Sequence, residues 1–218
     1  MDPGGRQPLY PPPDLPPTSP RRQRIGGAIV RETAMFARTD RLLLRPGWAE
    51  DASALVTAIG DEAVVRNLSR VPWPYGPAEA EAWLGKPQDE RRPRLLIFTR
   101  TSEPQLVGGI GIMDLDDGPG EQAELGYWVA RSHWGRGVAT EAARAVLDMA
   151  FHGLRLDRIE AGHFADNIAS ARVLAKLGFT SEGKRSLYRS GLRPGVQPCL
   201  WYGIDAASWL AGERRLVA

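Results

Sequence analysis

The stretch His133–Leu154, HWGRGVATEAARAVLDMAFHGL, places two glycines directly before a helical pattern. From Ala139 to Phe151 the apolar residues recur at alternating intervals of three and one, which is typical of one face of an α-helix. Many of these residues are alanine, so the helix can lie close against a sheet. The stretch therefore predicts a glycine loop followed at once by an amphipathic helix.

The two glycines of the loop, Gly135 and Gly137, tolerate positive φ angles and let the backbone approach a ligand closely. The first N–H groups of the helix that follows have no partner within the helix. Together with the positive end of the helix dipole they can bind an anion. The loop from Gly135 to Thr140 therefore predicts an anion site.

Three known kinds of anion-binding loop can be compared with this pattern. A P-loop requires Gly-Lys-Ser/Thr, which is absent here. A dinucleotide fingerprint requires G-x-G-x-x-G before a helix, whereas the glycines of Gly108–Met113 continue as a strand. A pyrophosphate loop of the coenzyme A kind, with x-x-G-x-G/A at a helix start, fits Trp134–Ala139. From the loop alone, an ordinary glycine-rich turn stays open.

The composition predicts a soluble protein with one folded domain. Of the 218 residues 43% are hydrophobic, and no apolar run approaches the ~20 residues that span a bilayer. The formal charge of +2 gives no support to a nucleic-acid partner, and no membrane partner is expected. Cys199 is the only cysteine, which excludes an intramolecular disulfide and fits a cytoplasmic location. We expect it to be a structural thiol.

Composition also divides the chain into three parts. Residues 1–37 are rich in proline and contain a basic run, so they have little to bury and are predicted to form a flexible N-terminal tail. The folded domain is predicted over residues 38–212. Residues 213–218 are predicted to be a C-terminal tail.

Periodicity and turn residues predict a strand, two helices, three antiparallel strands, a helix, a strand, a helix and two strands, in that order. The strand Gln122–Ala130 leads into the glycine loop, and the last helix, NIASARVLAKL, stops at Gly178. This order predicts an α/β (α+β) fold, with one mixed sheet and helices on both faces.

Two motifs, ELGYWVARSHWGRGVATEA and RIEAGHFADNIASARVLAKLGFTSEG, strongly resemble the GNAT superfamily of acyl-CoA-dependent N-acyltransferases. The closest branch is similar to the ribosomal-protein N-terminal-alanine/serine acetyltransferases, whose substrate-side loop resembles Asn67–Tyr75. The resemblance covers Thr39 to about Leu210. It implies a mostly antiparallel sheet of about seven strands that is splayed between the fourth and fifth strands.

The resemblance also implies that acetyl-CoA is the acyl donor. The glycine loop would hold the pyrophosphate, Arg136 would add a charge-assisted contact, and the backbone of Trp128 and Val129 would bond the pantetheine arm. Asn167 would reach the pantetheine, although it is equally a good N-cap residue. The implied cofactor-binding residues are Trp128, Val129, Trp134, Gly135, Arg136, Gly137, Val138, Ala139, Thr140, Asn167 and Ser170.

The implied reaction is direct transfer, in which an amine attacks the thioester and a thiolate leaves. Glu124 is the candidate base, directly or through water, with Glu160 as a weaker candidate. The Val129 N–H is the candidate oxyanion donor. The histidines lie in separate elements without metal-binding spacing, so no metal site is predicted, and only His163 is a candidate for catalysis.

The donor to the leaving thiolate departs from the pattern of many relatives. They carry tyrosine in the last helix, in a pattern similar to N-x-x-A/S-x-x-x-Y, and the matching residue here is Leu174. Ser170 lies three residues after Asn167 and is the nearest substitute, although it is equally suited to packing. Tyr188 on the following strand is the alternative donor.

The leading hypothesis for the acceptor is a primary amine at a protein or peptide N-terminus. The alternatives are a small amine or an antibiotic, or a module that binds acyl-CoA without catalysis. Trp73 and Tyr75 are predicted to bind the acceptor together with Glu124, and Trp83 and Tyr188 are further candidates for the cleft. The oligomeric state is left open, with a homodimer as one option.

Overall fold

Residues 36–115 and 122–217 are described by the computed structural model, and most of the predicted N-terminal tail, residues 1–35, lies outside them. The strands are β1 (Ala37–Arg38), β2 (Leu42–Arg45), β3 (Arg94–Thr99), β4 (Leu106–Asp114), β5 (Gln122–Val129), β6 (Arg158–Phe164), β7 (Thr180–Arg189) and β8 (Val196–Asp205). Within the described residues they form one eight-stranded sheet with the order β1-β2-β3-β4-β5-β6-β8-β7. The helices are α1 (Ala52–Ile59), α2 (Glu62–Val65), α3 (Pro77–Leu84), α4 (Val138–Asp148), α5 (Ile168–Lys176) and α6 (Ala206–Val217).

Neighbouring strands are antiparallel except β5 and β6, which run parallel. The predicted mixed, mostly antiparallel sheet is therefore confirmed. The additional strand is β1, whose two residues pair with Leu44 and Leu43 of β2. Two residues are too few to show a periodic pattern, so the sequence placed the predicted end of the tail at residue 37, inside this strand.

Side chains alternate along β3 and divide the core into two clusters. Leu95 and Ile97 pack with residues of α4, α5 and α6, whereas Leu96 and Phe98 pack with residues of α1 and α3. We call these two sides of the sheet the α4 face and the α1 face.

The predicted amphipathic helix is α4, and it lies flat on its face of the sheet. Ala142, Ala143, Val146 and Leu147 are fully buried, as their spacing predicted. Small side chains let this helix approach the strands closely, which fixes the position of its first turn and of the loop before it.

The sequence pattern predicted no helix after the last strand, yet α6 runs through most of the range assigned to a C-terminal tail. Asp205 caps it by accepting the Ser208 N–H (2.7 Å). Trp209 is buried and donates through Nε1 to Asp148 of α4 (2.9 Å). Contacts with α4 therefore stabilise a helix that its own sequence pattern did not predict. None of the helices in the described ranges is long and apolar enough to cross a membrane.

Candidate active site

A gap opens between β5 and β6 in the middle of the sheet. The two strands pair over only three positions, from Gln122 with Arg158 to Glu124 with Glu160. Beyond these pairs β5 follows β4 and β6 follows β8, so the two strands separate. The predicted splay is confirmed, and Glu124 lies where the gap begins.

Backbone groups of β5 border the gap. Ala130 N–H donates to a carbonyl oxygen of the β4 residue Val107 (2.8 Å), and antiparallel pairs alternate between bonded and non-bonded positions. Contrary to expectation, Trp128 therefore directs its backbone groups toward β4, whereas Val129 directs its groups into the gap. The Val129 carbonyl accepts the indole N–H of Trp134 (2.7 Å). The Val129 N–H is thus the group that a ligand in the gap would meet.

The glycine loop follows the open end of β5 and leads into α4. Gly135 and Gly137 have φ angles of +74° and +79°, in the region that favours glycine. Gly137 is the N-cap of α4, so the N–H groups of residues 138–140 lie in the first turn without helical partners. Arg136 is exposed beside them. The loop therefore offers backbone donors and a positive charge to an anion.

A side-chain network that sequence reasoning missed holds this loop. Glu141 in the first turn of α4 accepts from Thr39 Oγ1 (2.5 Å) and pairs with Arg41 Nη2 (2.5 Å). Arg41 also donates to the Arg136 carbonyl oxygen (3.1 Å). Burial raises the pKa of Glu141, but the bonds from Thr39 and Arg41 outweigh it and leave the pKa below its usual value. Thr39 and Glu141 lie 102 residues apart, so no local pattern signals their contact.

The first turn of α5 meets β5 across the gap. Asn167 caps the helix, since its Oδ1 accepts the Ser170 N–H (3.1 Å). The Ser170 hydroxyl forms a hydrogen bond of 2.7 Å with the phenol of Tyr127. Burial raises the pKa of Tyr127 to about 12, against the opposing effect of the Ser170 bond. Tyr127 stands in the motif ELGYWVA, but its role was not predicted.

The two candidate donors to the thiolate lie on opposite faces of the sheet. Ser170 contacts Tyr127, which packs on the core of the α4 face. Tyr188 lies opposite Gln197 of β8, on the α1 face, and its ring lies 6.1 Å from that of Trp201. Leu174, at the position where relatives carry tyrosine, is fully buried in the core.

Glu124 lies on the α1 face beside Arg70, which sequence reasoning missed. Arg70 Nη2 donates to Glu124 Oε2 at 2.9 Å, and the Glu124 side chain is 14% exposed. Burial, and after it the charge of Glu124, raises the pKa of Cys199 to about 11. This thiol therefore lies near the carboxylate and stays protonated at neutral pH, as a structural thiol does.

The weaker catalytic candidates have other partners. Glu160 pairs with Lys184 (3.4 Å) and Arg158 (3.9 Å). His163 is buried and stacks on Tyr202 of β8 at 5.3 Å, on the side of β6 away from β5. Within residues 36–115 and 122–217, no three His, Cys, Asp or Glu residues come together as metal ligands.

The aromatic residues that were predicted to bind the acceptor are packed against other side chains and backbone of the chain. Tyr75 and Trp83 join the core cluster of α1 and α3. Burial, and after it the charge of Glu79, raises the pKa of Tyr75 to about 12. Trp73 is half-buried, and its backbone lies against Gly191 in the turn between β7 and β8. These positions favour a structural role for Tyr75 and place Trp73 beside the β7–β8 turn.

A cleft of about 630 Å³ lies at the open end of the gap. Arg131 follows β5 and Asp166 follows β6, so the cleft lies where these strands are furthest apart. Its lining includes Asp61, Arg66, Arg131, Asp166, Leu192 and Arg193.

Arg193 joins three elements around this cleft. It forms two bonds with Asp166 (2.8 and 2.9 Å) and donates to the Arg66 carbonyl oxygen of the segment after α2 (2.6 Å). Its guanidinium lies 4.5 Å from the ring of Phe164, and its side chain is 8% exposed. The β7–β8 hairpin is thus fixed to α2 and to the loop after β6, which gives the cleft a defined wall.

The GNAT acetyltransferase domain family matches residues 41–180 of this chain. The chain belongs to this family and is an N-acetyltransferase. The uncharacterized N-acetyltransferase YoaA of Bacillus subtilis is 34% identical over 160 residues, which cover 70% of this chain and 88% of that protein.

Three further similarities bear on the site. The "Probable N-acetyltransferase YjcK" of Bacillus subtilis is 45% identical over 87 residues, so the match covers 40% of this chain and about half, 48%, of that protein. The "Putative ribosomal N-acetyltransferase YdaF" of the same organism is 32% identical over 111 residues, which cover 50% of this chain and 58% of YdaF. The structure of Mycobacterium smegmatis RimJ in complex with CoA-disulfide has a TM-score of 0.59 and 26% identity, and covers 80% of this chain and 90% of RimJ.

Proposed function

We propose that this enzyme moves the acetyl group of acetyl-CoA to the α-amine at the N-terminus of a protein or peptide, by direct attack. The observation that carries the proposal is the gap between β5 and β6. It has the glycine loop at its open end and a carboxylate, Glu124, where it begins. This arrangement can hold an extended thioester between an anion site and a base.

The donor is bound mainly by backbone. The pyrophosphate lies on the N–H groups that follow Gly135 and Gly137, with Arg136 as a further cation. The pantetheine arm extends into the gap along β5 and meets the N–H of Val129. The similarity to RimJ, which was solved with CoA-disulfide, supports this choice of donor.

The chemical step needs positioning, charge stabilisation and proton removal. Holding amine and thioester in contact supplies the largest share of the rate enhancement. The Val129 N–H donates to the thioester oxygen as negative charge develops there. Glu124 takes the amine proton, directly or through water, from the α1 face. The C–S bond then breaks and its electron pair remains on sulfur.

Ser170 is the proposed donor to the departing thiolate. Its hydroxyl lies in the first turn of α5, beside the gap and on the face opposite Tyr188. A thiol has a pKa near 8.5, so a thiolate leaves readily and needs only a hydrogen bond. Replacing Ser170 with alanine should lower kcat about tenfold, on the order of 1.4 kcal/mol. Unchanged turnover would assign the role to Tyr188 or to water.

An α-amine is the proposed acceptor because its deprotonation is easy. A chain α-amine has a pKa of about 7.7–8, so its deprotonation near pH 7 costs roughly 1 kcal/mol. A lysine ε-amine has a pKa of about 10.4, so its deprotonation costs nearly 5 kcal/mol. A single partly exposed carboxylate meets the first demand more easily than the second. The name of one relative, "Putative ribosomal N-acetyltransferase YdaF", supports a protein as acceptor.

A thiol-release assay with acetyl-CoA and a panel of amines tests the proposal. The panel contains peptides with free Ala or Ser N-termini, the same peptides with a blocked N-terminus, free amino acids, polyamines and aminoglycosides. Release that depends on the free peptide N-terminus supports the proposal. Preferential release with a small amine would overturn the choice of acceptor.

A further inference from the structure

The hydrogen bond between Tyr127 and Ser170 links the two sides of the gap. Tyr127 belongs to the part of β5 that no longer pairs with β6, and Ser170 belongs to the helix that follows β6. Their hydroxyl oxygens are 2.7 Å apart, a normal distance for two hydroxyl groups. The bond therefore joins the two sides of the gap next to the place where the thioester is proposed to bind.

Each hydroxyl in this pair has one proton to donate, and the direction of the bond decides what the other can do. When Tyr127 donates to Ser170 Oγ, the serine proton is free to point at a second acceptor. When Ser170 donates to Tyr127, its proton is occupied. A negative sulfur near Ser170 favours the first direction, because charge strengthens the bond that it accepts.

We propose that Tyr127 is a positioning residue for the leaving-group step, which holds Ser170 so that the serine proton points at the thioester sulfur. The inference rests on the proposed function and extends it to a residue that touches neither base nor acceptor amine. Tyr127 acts through Ser170 and strengthens a hydrogen bond to the thiolate as the C–S bond breaks.

No proton passes from the phenol to sulfur in this arrangement. Burial raises the pKa of Tyr127 to about 12, well above the value of about 8.5 for a thiol. Tyr127 therefore stays a neutral donor, and Ser170, a much weaker acid, keeps its own proton. The thiolate takes its proton from water after the step, which balances the proton that the amine has lost.

The test measures the thiol pKa of bound CoA, from the ultraviolet absorbance of the thiolate, in the wild type, Tyr127→Phe, Ser170→Ala and the double variant. A hydrogen bond to a charged group accounts for about one pKa unit, so Ser170→Ala should raise the bound thiol pKa by about that much. Tyr127→Phe should raise it by a smaller amount. The double variant should match Ser170→Ala, because Tyr127 has no effect without the serine.

The same four proteins should show the same order in kcat at saturating substrates. Tyr127→Phe should lower kcat about threefold and Ser170→Ala about tenfold, with losses that do not multiply in the double variant. Tyr202→Phe is the matched control, a half-buried tyrosine of β8 on the same face of the sheet. In Tyr202→Phe, the thiol pKa of bound CoA, the kcat and the affinity for CoA should equal those of the wild type.

Two results would overturn the inference. One is a wild-type thiol pKa in Tyr127→Phe, with only the melting temperature changed, which would make the bond purely structural. The other is a double variant whose losses are the product of the single losses, which would make Tyr127 act independently of Ser170. A wild type that does not bind CoA at all would instead refute the proposed function, so the two failures are distinguishable.

Discussion

Glu124 combines position and charge in the way that a general base in this gap requires. It is the last residue of β5 that pairs with β6, and Arg70 holds its carboxylate on the α1 face. Glu124→Gln keeps the shape of the side chain and removes the negative charge. We expect kcat to fall about 10²–10⁴-fold, which is the usual contribution of a positioned base. Calorimetry should show little change in the affinity for CoA.

Glu182→Gln provides the control for this change. Glu182 lies on β7 and pairs with Arg158 at the closed end of the β5–β6 pairing, so its loss should leave kcat unchanged. The weaker candidate Glu160 is tested in the same assay. If Glu160→Gln lost more activity than Glu124→Gln, the assignment of the base would be contradicted.

Cys199 gives the protein a specific dependence of stability on pH. Burial, followed by the charge of Glu124, raises its pKa from 9.0 to about 11, so the unfolded thiol ionises while the folded thiol stays neutral. This contribution to stability is present below pH 9 and is lost as pH rises from 9 to 11.

Cys199→Ala removes this contribution. Between pH 9 and pH 11 the free energy of unfolding should fall less steeply in the variant than in the wild type, by on the order of 2 kcal/mol in total. Urea unfolding curves at several pH values measure this difference. Parallel losses in the two proteins would show that the thiol ionises equally in the folded and unfolded states.

The glycine loop and α4 act together as one element, and Gly137 tests their role. Gly137→Val places a branched side chain where φ is +79° and where Arg41 Nη2 lies 3.4 Å from the new Cβ. We expect the Kd for CoA to rise at least tenfold, roughly 1.4 kcal/mol, because the pyrophosphate can no longer approach the backbone. Isothermal titration calorimetry measures the change.

Gly183→Val is the matched control, since Gly183 has a φ of +65° and, among the described residues, no heavy atom lies within 4 Å of a Cβ added there. It introduces the same backbone strain on β7, away from the loop, and should leave the Kd for CoA unchanged. An unaltered Kd in folded Gly137→Val would mean that the pyrophosphate binds elsewhere.

The sequence predicted most helices and strands correctly, but it did not predict the side-chain contacts between them. The glycine loop, the buried face of α4 and the splay follow from periodicity, turn chemistry and the resemblance of two motifs. The contacts of Glu141 with Thr39 and Arg41, and of Glu124 with Arg70, join residues far apart in the chain. Such contacts depend on tertiary packing, so no local pattern could have found them. The same reason explains why α6 was missed, since its stability depends on Trp209 and α4.

For the whole molecule, the N-terminal segment is predicted to be dispensable for catalysis. Residues 1–35 are rich in proline and poor in groups that build a core. Deleting them, while keeping the strand that begins at Ala37, should leave the melting temperature and the turnover with a minimal peptide nearly unchanged. A large loss of either quantity would show that the segment contributes to the fold or the site.

For the whole molecule, we propose that the gap, the glycine loop and Glu124 together transfer the acetyl group of acetyl-CoA to a chain α-amine, and the site of acetylation on a peptide distinguishes this from transfer to a lysine. A peptide with a free Ala or Ser N-terminus and one internal lysine is incubated with enzyme and acetyl-CoA, and mass spectrometry locates the acetyl group. We expect modification at the α-amine, strongly reduced in Glu124→Gln. Modification mainly at the lysine ε-amine, or equal modification by the wild type and Glu124→Gln, would rule out this assignment.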